Sequence, residues 1–73
     1  MVISDPAMKK RLLKELLVKG VITDEEFSRC VIELNLKGAF TLKSKGITIE
    51  PQGGSLRVYG DKRLVDEVLK GAS

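Results

Sequence analysis

GITIEPQGGSLRVYG, residues 46–60, decides the fold. Ile47 and Ile49 alternate with Thr48 and Glu50, and Leu56 and Val58 alternate with Arg57 and Tyr59, the two-residue period of half-buried strands. Pro51 to Ser55 is turn material, so 47–50 and 55–59 read as a β-hairpin with a loop of four or five residues. A weaker strand at about 39–43, carrying Phe40 and Leu42, would extend the pair to a three-stranded meander.

Upstream of Gly38 the period is 3.6. Asp5 and Pro6 open a helix over 5–19, in which Met8, Leu12, Leu13, Leu16 and Leu17 share one side and Lys10, Arg11, Lys14, Glu15 and Lys19 the other. Gly20 suits the left-handed residue past its end, with Val21 closing a Schellman-type contact onto Leu16. Thr23 and Glu26 have capping-box spacing, and Ile22 with Phe27 that of a hydrophobic staple. Phe27, Cys30, Val31 and Leu34 then repeat at i, i+3, i+4 and i+7, which predicts a second helix over 24–37 ended by Gly38. Together they form an αα-hairpin. Downstream, Asp61 caps a short last helix built on Leu64, Val65, Val68 and Leu69 and ending at Gly71. The expectation is a single small α+β domain over 1–73: an αα-hairpin, then the β-hairpin, then a C-terminal helix.

A core of 73 residues is small enough to need help from a staple or a partner. With one Cys and no His, an internal disulfide and a tetrahedral N/S zinc site are both excluded within one chain. Cys30 lies on the apolar stripe of the second helix and reads as a buried thiol. Asp24, Glu25 and Glu26 suit a helix N-terminus, but consecutive helical positions point about 100° apart and do not converge on a metal ion. Gly53-Gly54 joins two strands rather than leading into a helix, so it reads as a turn and not a phosphate loop. No enzyme, cofactor or metal is expected. No apolar run reaches the roughly 18–20 residues of a membrane span, and no signal-peptide pattern stands at Met1, so a cytoplasmic protein with no membrane partner is expected.

The net charge of +3 hides opposed segments. Residues 1–19 hold five basic and two acidic side chains, whereas residues 20–35 hold one basic and four acidic. Such patches can set the register between chains. Val18, Ile32 and Leu36 lie off the main stripes and offer a second apolar surface. The first reading is therefore a protein-interaction or oligomerisation module, a homodimer, with Lys10, Lys14, Ile32 and Leu36 as candidate partner contacts and Leu12, Leu16, Phe27, Val31 and Leu34 holding the fold.

The alternative is a small nucleic-acid-binding regulator. Lys43, Lys45, Arg57, Lys62 and Arg63 cluster on or beside the β-hairpin, as a wing touching phosphates requires. Lysines also protect sheet edges, and Tyr59 alone is available for base stacking. A helix-turn-helix docking is disfavoured, because the second helix would present Asp24, Glu25 and Glu26 to phosphate.

Residues 12–34, LLKELLVKGVITDEEFSRCVIEL, resemble the SHOCT-type short helical module. Leu16, Leu17, Gly20, Ile22, Thr23, Glu25, Glu26 and Phe27 stand where that pattern has them. Such modules usually lie at chain ends and mediate oligomerisation or protein contacts, which is what the resemblance implies here. Residues 42–69 look similar to the small docking domains of multienzyme assembly lines, which implies binding between proteins as well.

Overall fold

A computed structural model describes residues 1–73, with the element order β1 (Val2–Ile3), α1 (Pro6–Val18), α2 (Asp24–Lys37), β2 (Leu42–Ser44), β3 (Ile47–Gln52), β4 (Ser55–Gly60) and α3 (Lys62–Ala72). The helix ends follow from local chemistry. Asp5 accepts from the Ala7 N–H at 2.9 Å, and Pro6 occupies the first helical position of α1. Beyond α1, the N–H of Gly20 donates to Leu17 and that of Val21 to Leu16, the two bonds of a Schellman motif. The capping box of α2 is complete: Glu26 N–H donates to Thr23 Oγ1 at 3.1 Å, and Thr23 N–H donates to Glu26 Oε1 at 2.9 Å.

The strands form one antiparallel sheet in the order β1-β4-β3-β2. Its inner face carries Ile3, Leu42, Ile47, Ile49, Leu56 and Val58, all buried. The three helices contribute Leu12, Leu13, Leu16, Cys30, Leu34, Val65, Val68 and Ala72 to the same core. Phe40, in the connection between α2 and β2, is fully enclosed. This is an α+β fold with helices on one side of the sheet and the other side open.

Two features of the sheet differ from the expectation. The β3–β4 connection is a two-residue Gly53-Gly54 turn closed by the Gln52–Ser55 pair, so Pro51 and Gln52 belong to β3 rather than to a longer loop. Proline is tolerated because its nitrogen faces away from β4, on the side where β2 has already ended. The second feature is β1, which the sequence did not announce; it pairs Val2 with Arg57 and Ile3 with Leu56 and makes β4 an inner strand. The third strand does form, at Leu42–Ser44, reached from β3 by a Lys45-Gly46 turn with positive φ at both residues, as a type I′ turn needs.

Helix α3 runs on through Gly71, where a Cβ would collide with the Glu15 side chain of α1. The Glu15 side chain lies over this glycine, and Arg11 Nε donates to the Ala72 carbonyl at 2.7 Å, so two side chains of α1 reach the end of α3. One polar side chain is buried: Lys9 on α1, 4% exposed. Its Nζ donates to the carbonyl of Gly38, which caps α2, at 2.8 Å and to that of Gly54, in the β3–β4 turn, at 2.6 Å. A cation is favoured at a helix C-terminus, and these two bonds tie α1 to the end of α2 and the tip of the β-hairpin.

Replacing Lys9 with Met keeps the stem and strands both carbonyls, so Lys9→Met is expected to lower unfolding stability by roughly 1–3 kcal/mol. Urea denaturation reads this as a lowered midpoint at unchanged slope; an unmoved midpoint would show the bonds carry no net stability.

Candidate functional site

Because α1 rests closely on α3, its other flank stands open toward α2, and the two helices frame an apolar groove of about 510 Å³. Buried Leu13 and Leu34 form the floor, half-buried Leu17, Phe27 and Val31 the walls, and exposed Val18 the rim at the α1–α2 turn. Lys10, Lys14 and Asn35 border it with polar groups. Phe27 is placed by the capping box one turn into α2, and Leu17 by the last turn of α1 before the Schellman motif.

The four residues singled out as partner contacts divide between two neighbouring surfaces. Lys10 and Lys14 lie on the groove. Ile32 and Leu36, 60% and 78% exposed, are four residues apart on the outward face of α2 and lie outside it. Phe27 and Val31, read from periodicity as holding the fold, are only half-buried and build one wall, whereas Leu34 joins the core as expected and forms part of the floor. A 3.6-residue stripe marks an apolar face without telling whether it is enclosed.

The chain's four ion pairs, Lys19–Glu15, Arg29–Glu33, Arg57–Glu50 and Lys62–Asp66, use none of Lys10, Lys14, Asp24 and Glu25. Lys10, Lys14, Asp24 and Glu25 are therefore without ion-pair partners within one chain, although the positive end of the α2 dipole favours the two carboxylates.

The basic residues around the β-hairpin are more dispersed. Lys43 and Arg57 share the open sheet face, but Arg57 lies 3.3 Å from Glu50 and stacks 4.6 Å from the Tyr59 ring centroid. Tyr59 in turn donates to Glu50 at 3.4 Å. Lys45 donates to the Gly20 carbonyl at 2.8 Å, tying the β2–β3 turn to the α1–α2 turn, and Lys62 pairs with Asp66. Lys43 and Arg63 alone are free of such partners.

Cys30 is fully buried, and burial pushes its thiol above the ordinary range; Arg29 opposes the shift, while Glu33 and Glu26 add to it. No cluster of three or more His, Cys, Asp or Glu side chains is placed to hold a metal ion, and no helix is long and apolar enough to cross a membrane. No protein-family model, curated protein or solved structure matches this chain.

A thiol whose pKa is raised by folding contributes stability that is complete below the unfolded-state pKa and lost as pH rises through the folded one. Stability is expected to fall across alkaline pH above the ordinary thiol value of 9.0, and Cys30→Ala to flatten that fall. Denaturation midpoints against pH check it; the same slope in both chains would assign the loss to other groups.

Proposed function

We propose that the chain is a non-enzymatic self-association module whose partner is a second copy and whose contact surface is centred on the α1–α2 groove. The observation that carries this reading is the groove itself: an apolar channel with a cationic border, next to an exposed Ile32–Leu36 stripe and an unpaired acidic helix start on the same molecule. Exposed apolar surface of this kind marks interaction sites, and a domain this small gains core by covering it. Supply and demand for charge are matched within one sequence, which favours like with like. The resemblance of residues 12–34 to an oligomerising helical module supports the same reading. Two of the groups that could act chemically are enclosed or engaged: Cys30 is buried, and Tyr59 is held between Arg57 and Glu50.

A nucleic-acid role for the basic β-hairpin rests on Lys43 and Arg57 sharing an open face, and intramolecular pairing of Arg57 weakens it. Binding to duplex DNA at low salt, weakened by Arg57→Ala, would support that role instead.

Light scattering across a dilution series should give twice the 8.0 kDa chain mass at high concentration, falling toward one chain on dilution. Val18→Glu or Ile32→Glu places a charge on exposed contact surface and should weaken association by about tenfold or more without unfolding the chain. A single-chain mass at every concentration would overturn the proposal.

A further inference from the structure

We infer that the two copies pair antiparallel, with α2 of one chain lying beside α2 of the other and Asp24 and Glu25 of each facing Lys10 and Lys14 of its partner. The inference rests on self-association through the groove and adds its direction and register. Within one chain, the helical hairpin sets Lys10 beside Asn35 and Gly38, at the C-terminal end of α2. Lys14 stands one turn further along α1, against the same groove as Val31. Asp24 and Glu25 lie at the opposite end of α2, about ten residues from Asn35, which at 1.5 Å per residue is roughly 15 Å. Each molecule thus carries a cationic end, from α1, and an anionic end, from α2, along one helical hairpin, both exposed and both without an ion-pair partner of their own.

Two such hairpins side by side have two choices. A parallel pair puts Lys10 against Lys10 and Asp24 against Asp24, where like charges repel. Antiparallel pairing brings opposite charges together at both ends, and symmetry makes each contact twice. It also opposes the two helix macrodipoles, leaving the negative C-terminal end of one α2 near the positive N-terminal end of the other. The face between the charged ends is Ser28, Val31, Ile32 and Asn35, at i, i+3, i+4 and i+7, so it carries one groove wall residue and one residue of the outer stripe into the same contact. A closed two-fold pair follows, not an open filament, because each copy uses the same surface.

Charge exchange tests this. Lys10→Glu with Lys14→Glu in one chain, and Asp24→Lys with Glu25→Lys in another, should each weaken self-association at least about tenfold, because the rim contacts at both ends become like-charged. An equimolar mixture of the two variants should recover a dimer of wild-type affinity by analytical ultracentrifugation, with helical content checked by circular dichroism. All four side chains are exposed and outside the intrachain hydrogen bonds and ion pairs, and circular dichroism reads any loss of helix that follows from placing Lys at the N-terminus of α2. If wild type dimerises and either variant does so equally well, or the mixture gains nothing, antiparallel pairing is wrong while self-association stands. A monomeric wild type removes both.

Discussion

The ammonium of Lys9 is the junction on which the arrangement of helices and sheet depends. It is a cation enclosed by protein and held by two backbone carbonyls with no carboxylate beside it, one ending α2 and the other in the tip of the β3–β4 turn. Desolvating such a charge is costly unless its donors are met, and the negative end of α2 supplies part of the compensation. The consequence is positional: the C-terminal end of α2 is pinned to the β-hairpin and to the first half of α1. Its N-terminal end is pinned by the Schellman turn and the capping box. Between these two fixed ends α2 runs beside α1, while α1 packs against α3, with Glu15 lying over Gly71 and Arg11 bonded to Ala72. The half-covered apolar residues between α1 and α2 are what those constraints leave over.

The α+β architecture, the αα-hairpin, the limits of α2 and both caps were legible because each is written in local chemistry. Thr23 and Glu26 announce a start, Gly38 a stop, and alternation at 47–50 and 56–59 a pair of strands. The parts that were not legible depend on distant partners. Two residues, Val2 and Ile3, have no period of their own, and they form a strand only because β4 offers an edge. Pro51 argues against a strand by composition, yet the register turns its nitrogen to an unpaired side. Lys9 looks like one more surface lysine, although its spacing to Leu12, Leu13 and Leu16 at i+3, i+4 and i+7 places it on the core face. That spacing was the available signal.

The candidate site was half legible for the same reason. Lys10 and Lys14 were found from charge, and they do border the groove. That Phe27 and Val31 would remain partly open could not be read from periodicity, since openness depends on how far α1 leans toward α3. The segmental charge imbalance, which sums to only +3, acquires a spatial meaning once α1 and α2 are antiparallel: a basic end and an acidic end on one rod. The open sheet face is, by contrast, largely self-satisfied, with Glu50, Arg57 and Tyr59 bonded or stacked among themselves.

We propose that the α1–α2 groove is where a second copy is received. Backbone amide NMR spectra recorded across a dilution series test it most directly, since every residue reports separately. Concentration-dependent shifts are predicted at Lys14, Val18, Val31 and Ile32, with Thr48, Arg57 and Tyr59 unmoved. Shifts confined to the sheet face, or no shift at any residue, would contradict it.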